Sequence, residues 1–305
     1  MSDGHILYGE HMSVTDHPAA TDPTSSVGAQ SRTVMVGDIK THYHEAGSGA
    51  PVLLLHGSGP GVSAWANWKR TIDPIGQEYR VLAPDILGFG YTSRPEGTVY
   101  GPASWLAHVI GFLDALGIEK THIIGNSLGA RIALGVALEH PQRLDKLILM
   151  GSGALRTGTT PALAVTRNYQ PTLEEMGTVL RGFAYDPSVV TDELVEERYR
   201  ASVEPGAFEA YRQMFHDAAH SGSDTKLDAA DLADVRAKTL IVHGYDDKII
   251  PYEVSVRTLS AIDDAQLHIF RKCGHWAQLE FADEFNTLAR RFFRRTDHES
   301  DAGKA

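Results

Sequence analysis

Ser127 stands at the centre of Gly125-Asn126-Ser127-Leu128-Gly129, directly after the apolar run His122-Ile123-Ile124 and directly before Ala130-Arg131-Ile132-Ala133-Leu134. This is G-x-S-x-G set between a strand and a helix, and the setting carries the inference. A chain that turns sharply from strand into helix leaves no room for a Cβ two residues to either side, which the two glycines allow. The turn then holds the serine hydroxyl clear of the backbone, at the positive end of the next helix, as a nucleophile requires. In a loop the same five letters would mean nothing.

A serine nucleophile needs a base, and the base needs an acid to orient it. Around such a turn both come from loops after later strands, in the chain order Ser, Asp, His. After the apolar run 240–243 comes Gly244-Tyr245-Asp246-Asp247-Lys248-Ile249-Ile250-Pro251, and after 266–270 comes Arg271-Lys272-Cys273-Gly274-His275-Trp276. Asp247 and His275 fall where acid and base belong. Asp246 competes for the acid's place, its ordinary explanation being a solvated turn carboxylate. Asp247 is favoured because it lies deeper in the turn and nearer Pro251. The chain has 15 histidines, but only His275 sits in the loop directly after the last strand. Cys273 could suggest a Cys–His pair; a thiol that close along a strand end points away from the ring, so it reads as buried filler.

His56-Gly57-Ser58-Gly59-Pro60-Gly61 follows the apolar run 52–55 and precedes a helical pattern. A phosphate loop of this kind would continue into Lys-Ser/Thr, which is absent. The better reading is half of an oxyanion hole, in which the N–H groups of Ser58 and Leu128 meet a developing negative oxygen. His56 then braces the loop.

These loops need a scaffold. Short β-type runs recur at 33–36, 42–44, 52–55, 80–83, 122–125, 147–150, 240–243 and 266–270, and helical patterns at 64–72, 104–116, 128–138, 252–262 and 281–293 separate most of them. Strand alternating with helix predicts an α/β fold with a doubly wound, mostly parallel eight-stranded sheet and an antiparallel start. Between Met150 and Leu240 the rhythm breaks, leaving helical patterns at 171–183, 191–202 and 206–219. A connection that long carries its own structure, which predicts a helical cap over residues 155–230 inserted into a core of residues 31–154 and 231–296. Residues 1–30 read as a disordered leader, whose His11-Met12 marks a natural start or a cloning scar, and 297–305 as a flexible charged tail.

With 28 basic and 39 acidic residues the formal charge is −11, which invites neither nucleic acid nor an anionic membrane surface. A single cysteine excludes an internal disulfide and suits a reducing compartment. No apolar stretch reaches the ~20 residues of a membrane span, and the N-terminal residues lack a signal peptide's pattern. The expectation is a cytoplasmic protein.

Together these residues resemble the meta-cleavage product hydrolases of the α/β-hydrolase fold, carbon–carbon bond hydrolases of bacterial aromatic catabolism. The resemblance spans about residues 33–293 and is most specific at His56-Gly57-Ser58-Gly59-Pro60-Gly61-Val62-Ser63-Ala64-Trp65-Ala66-Asn67-Trp68, Gly125-Asn126-Ser127 and Cys273-Gly274-His275-Trp276. It supports Asp247 over Asp246. It implies an anionic substrate, a 2-hydroxy-6-oxohexa-2,4-dienoate, cleaved to 2-hydroxypenta-2,4-dienoate and a carboxylic acid without a cofactor or metal. It also implies that Arg198 binds the substrate carboxylate, that Asn67, Asn126 and Gly59 contact the dienoate head, and that Trp276 forms a neighbouring wall. Read without the resemblance, Arg198 is a solvated charge. Relatives commonly self-associate, which implies a homo-oligomer, and the segment 183–202 looks most like relatives acting on single-ring products with a small acyl tail. One departure is Arg131, where relatives often carry a small residue. Its cation either points outward or meets an acid on the substrate or cap. The competing functions are a general carboxylesterase of this fold and a ligand receptor with a vestigial triad.

Asp247→Asn is expected to slow turnover by roughly 10³-fold or more, as loss of the orienting acid does in other triads. Asp246→Asn should be mild. Steady-state rates of the two variants, compared side by side, decide which carboxylate orients His275.

Overall fold

The computed structural model describes residues 28–155, 158–220 and 227–295, with backbone alone for 215–220. The expected leader (save residues 28–30) and tail lie outside the described residues. Eight strands form one sheet: β1 (Gln30–Val36), β2 (Ile39–Ala46), β3 (Pro51–Leu55), β4 (Arg80–Pro84), β5 (Thr121–Asn126), β6 (Leu144–Met150), β7 (Lys238–Gly244) and β8 (Ala265–Phe270). Their order is β1-β2-β4-β3-β5-β6-β7-β8. β2 runs antiparallel to both β1 and β4, and all other pairs are parallel.

The helices are α1 (Ala64–Trp68), α2 (Ile72–Gly76), α3 (Pro102–Ala115), α4 (Leu128–Glu139), α5 (Pro161–Arg167), α6 (Leu173–Phe183), α7 (Asp192–Ser202), α8 (Ala207–His220), α9 (Ala229–Leu232), α10 (Glu253–Ala261), α11 (Ala277–Glu280) and α12 (Ala282–Arg294). Because side chains alternate along a strand, each central strand feeds two cores. Leu53, Leu55, Ile123, Leu147 and Leu149 pack on one face with Phe112 of α3 and Ala133 of α4. Val52, Leu54, Ile124 and Ile148 pack on the other with Trp68, Ile75 and Phe285. Coverage of both faces is why these strands read as unbroken apolar runs.

The helix expected over 64–72 divides into α1 and α2. Pro74 has no N–H to donate to the carbonyl of Arg70 and its ring crowds that carbonyl, so a continuous helix cannot pass. The Arg70 carbonyl instead accepts from Asn286 Nδ2 at 2.7 Å. Among the described residues five helices, α5 to α9, fall between β6 and β7 where three were expected. The first of the additional pair, α5, has the ordinary start signal: Thr160 caps it by accepting from Leu163 N at 3.2 Å, and Pro161 follows.

These helices reach the carboxyl ends of the strands, where loops of α/β sheets gather ligands. His275 N–H donates to the Phe183 carbonyl at 2.7 Å. Glu280 accepts from Gly274 N at 2.8 Å, Tyr185 N at 2.8 Å and Asp186 N at 3.1 Å. Lys69 at the end of α1 pairs with Glu197 of α7 at 2.9 Å.

A close crossing lies between β3 and α4. A Cβ on Gly129 would sit 2.1 Å from the Leu55 carbonyl oxygen, and one on Gly125 would sit 2.5 Å from the Gly129 backbone. Gly129→Ala should therefore lower unfolding stability by about 3 kcal/mol or more, since the obstacle is backbone that cannot yield. Urea unfolding of the variant beside the parent protein measures it.

Candidate active site

Ser127 joins β5 to α4 with φ 54° and ψ −108°. A non-glycine residue in that region carries about 1–3 kcal/mol of strain, which the surrounding backbone must hold. Ser127 N–H donates to the Met150 carbonyl at 2.8 Å, and Ser127 O accepts from Arg131 N at 3.1 Å. Leu128 opens α4, where first-turn N–H groups lack partners inside the helix. The loop of residues 56–61 passes beside the serine: a Cβ on Gly57 would lie 3.4 Å from Ser127 Cβ.

His275 Nδ1–H donates to Asp247 Oδ2 at 2.6 Å, with both side chains buried. Asp247 Oδ1 accepts from Ile249 N at 2.8 Å and Ile250 N at 3.0 Å. Burial pushes the Asp247 carboxyl upward, but the charge and hydrogen bond of His275 and those of His243 outweigh it and hold it well below the usual range. Asp246 instead accepts from Lys272 N at 2.9 Å, at the surface side of the turn. Gly151, at φ +54°, leaves room for the imidazole, since a Cβ there would sit 2.8 Å from His275 Cε1. His275 Nε2 is buried without a hydrogen-bond partner, so it makes no hydrogen bond to Ser127 Oγ in this state. Catalytic contacts of this kind often tighten only when substrate binds.

Ser58, Gly59, Asn67, Asn126, Ser127, Arg198, His275 and Trp276 all line one cavity of about 20 Å³. Leu128 contributes no lining there. Its side chain borders a separate groove between α3 and α4 that also holds Arg131 and Trp105. Arg131 thus does not line the serine's cavity. A larger groove of about 520 Å³ lies at the opposite ends of the strands, around Lys120, Lys146 and Lys238.

Arg198 is 2 % exposed. Its Nε–H donates to the Pro60 carbonyl at 3.0 Å and its guanidinium stands 5.9 Å from the Trp276 ring centroid. A Cβ on Gly59 would meet an Arg198 nitrogen at 2.7 Å, so glycine there is what lets the guanidinium lie against the loop. Burial lowers the Arg198 pKa to about 10, still leaving a cation at neutral pH. Its neighbour Glu197 is held by Lys69, and no carboxylate of the described residues pairs with Arg198. Asn67 Nδ2 and Asn126 Oδ1 are likewise buried without partners. Phe183 stacks on Trp276 at 4.7 Å between centroids and closes the wall.

Several contributors escaped the sequence reading. Asp85 follows β4 and is fully buried; it accepts from Ala64 N at 2.6 Å, Tyr91 N at 2.8 Å and His42 Nδ1 at 2.8 Å, fixing the start of α1. Its place at a strand's carboxyl end was the available signal. Glu280 and Lys69 act through backbone and cross-element contacts that leave no local pattern. Cys273 is fully buried, and burial pushes its thiol far up, as befits filler.

The sheet order, the strained serine turn and the Asp247–His275 pair define an α/β-hydrolase, and residues 50–282 match the family described as alpha/beta hydrolase fold. Within that class the chain belongs to the meta-cleavage product hydrolases. It is 43% identical over 87% of its length to a 2-hydroxy-6-oxo-2,4-heptadienoate hydrolase of Pseudomonas putida F1, covering 97% of that protein. Identity is 42% to a 2-hydroxymuconate semialdehyde hydrolase of Pseudomonas sp. CF600, over 87% of this chain and 94% of that one. It is 37% to a 2-hydroxy-6-oxo-6-phenylhexa-2,4-dienoate hydrolase of Comamonas testosteroni, over 85% and 93%. Among solved structures, a meta-cleavage product hydrolase of Pseudomonas fluorescens IP01 superposes with TM-score 0.82 at 44% identity, covering 86% of this chain and 97% of that one.

The loop beside the serine is braced by a neutral histidine. His56 Nε2 accepts from Ile86 N at 2.9 Å, so Nδ1 carries the proton and donates to the Gly57 carbonyl at 2.7 Å. Burial lowers its pKa from 6.5 to about 4, and that of buried His108 likewise to about 4. The unfolded chain takes up these protons first as pH falls, so the contribution is complete above pH 6.5 and is lost between 6.5 and 4. Urea unfolding at pH 7.5 and pH 5 should show lower stability at the acid value, with a shallower slope in His108→Gln.

Proposed function

We propose that the protein hydrolyses the C5–C6 bond of 2-hydroxy-6-oxo-2,4-dienoates with Ser127 as nucleophile, His275 as base and then acid, and Asp247 as the orienting acid. The observation that carries this reading is the buried, unpaired guanidinium of Arg198 in the serine's cavity. A cation in such a place costs free energy until an anion joins it, and a planar guanidinium suits a carboxylate. Asn67 and Asn126 offer an unpartnered donor and acceptor for the substrate's 2-oxygen, with Gly59 allowing close approach and Trp276 forming the wall.

Two stages follow from this arrangement. The bound dienol first ketonises, taking a proton at C5, which converts a poor carbanion leaving group into a feasible one. Ser127 then attacks C6 as His275 Nε2 takes its proton, and the N–H groups of Ser58 and Leu128 stabilise the oxyanion. Collapse releases 2-hydroxypenta-2,4-dienoate, and water, activated by the same His275, frees the carboxylic acid. The cavity's 20 Å³ is about one water's room, so admission of a six-carbon acid requires the helices between β6 and β7 to yield. Higher identity to relatives named for a heptadienoate and a muconate semialdehyde than to one named for a phenyl-substituted acid supports a small acyl tail. The lone cysteine and the family resemblance support a cytoplasmic, self-associating enzyme.

Arg198→Ala tests the reading. Removing one side of a buried pair costs roughly 3–5 kcal/mol, a factor of about 10² to 10³ in kcat/KM for the dienoate. Where the contact also positions the dienol for ketonisation, kcat falls while KM rises. Hydrolysis of a neutral ester, which has no use for the carboxylate site, should be far less affected. Unchanged dienoate turnover in the variant, with high ester activity in both proteins, would instead make this a carboxylesterase.

A further inference from the structure

Asp247 Oδ2 receives a second buried imidazole besides His275. His243, at the end of β7, is 1 % exposed. Its Nε2 lies 3.1 Å from Asp247 Oδ2 and 2.9 Å from the Ile250 carbonyl oxygen, while its Nδ1 lies 2.6 Å from Ser255 Oγ on α10. The carbonyl can only accept, so Nε2 carries the proton and shares it between Ile250 O and Asp247 Oδ2. Nδ1 is then the acceptor, and the Ser255 hydroxyl donates to it. The tautomer is thus set by the Ile250 carbonyl, which can only accept, and the Ser255 hydroxyl supplies the matching donor.

We infer that His243 is a positioning residue, which with Ser255 holds Asp247 in register for His275 and competes with His275 for the same carboxylate oxygen. Ile249 N and Ile250 N occupy Oδ1 at 2.8 and 3.0 Å, and His275 Nδ1 and His243 Nε2 occupy Oδ2, so four donors use the carboxylate's four acceptor sites. Each donor removes one direction in which the carboxylate could rotate away from the imidazole. Donation by His243 also draws charge from Oδ2 and tempers the bond to His275, and the Ser255 hydroxyl reinforces that donation through the ring. Local sequence offers no hint of this, because His243 precedes the acid by four residues and ordinarily reads as the end of an apolar strand.

The inference rests on Asp247 being the orienting acid, and Asp247→Asn checks that reading by itself. The decisive experiment compares His243→Phe, His243→Gln and Ser255→Ala, following kcat and KM on a dienoate and the downfield proton resonance of His275 Nδ1–H. In His243→Phe, with a donor lost from Oδ2, the resonance should move further downfield and kcat fall about tenfold, with KM within about twofold because no substrate contact changes. His243→Gln, which restores an N–H donor, should recover kcat to within about threefold. Ser255→Ala keeps the imidazole and should shift the resonance the same way by less, deciding the matter if His243→Phe fails to fold. A resonance unmoved in the folded variants, or kcat unchanged in His243→Phe, overturns the inference while leaving the triad intact. Full activity of Asp247→Asn would overturn the triad itself.

Discussion

The whole arrangement depends on how closely one helix can cross one strand. Gly129 lets α4 approach the Leu55 carbonyl to a distance no side chain would permit, and Gly125 lets the preceding strand approach α4 itself. That approach forces the link between them into the strained conformation of Ser127. The loop after β3 comes to lie beside the serine for the same reason, so Ser127 and the loop that the proposed mechanism uses for the oxyanion are placed by one backbone contact. Strain at Ser127 persists because the two apolar cores on either side of the sheet leave the crossing no freedom to relax.

A second principle is the sorting of charge across the interface between the helical insertion and the sheet. Adjacent residues of α7 carry opposite charges, yet they do not neutralise one another: Lys69 claims Glu197, and Arg198 turns to the cavity. The pair that fastens α7 to α1 thereby leaves the Arg198 cation without that neighbouring carboxylate. Arg198 is also held by the Pro60 carbonyl, within the loop beside Ser127. The buried guanidinium and the serine turn are thus tied to the same few residues of backbone, and on the proposed reading this is the kind of preorganisation that makes binding energy useful for catalysis.

Much of this was legible in the residue order because it was local. Eight strands, the turn at Ser127 and the order of Asp247 and His275 follow from apolar runs and from what ends them. The split of α1 from α2 was also written locally, in Pro74, and α5 in Thr160-Pro161, but both are short and carry weak periodicity. What stayed hidden is of another kind. Asp85, His243 and Glu280 act on groups 4 to 95 residues away through hydrogen bonds that only the fold creates, and a buried polar residue leaves no periodic trace. Arg198 is the instructive case: from sequence alone it is one charge among several on an amphipathic helix, and only its burial without an acid distinguishes it. Arg131, conspicuous in sequence, lines a different groove from the serine.

The single cysteine has a practical side. Cys273 is sealed from solvent, sits near Glu280, and is held firmly in the protonated form. Thiol-directed reagents need both access and a thiolate, and this residue offers neither. The chain is therefore a nearly silent background for sulfhydryl chemistry. A cysteine placed on the outer surface of α7 and another at the end of α1 would be the only reactive thiols present. Fluorophores or spin labels attached there would report the distance between insertion and sheet in solution, without first stripping the protein of its native residue.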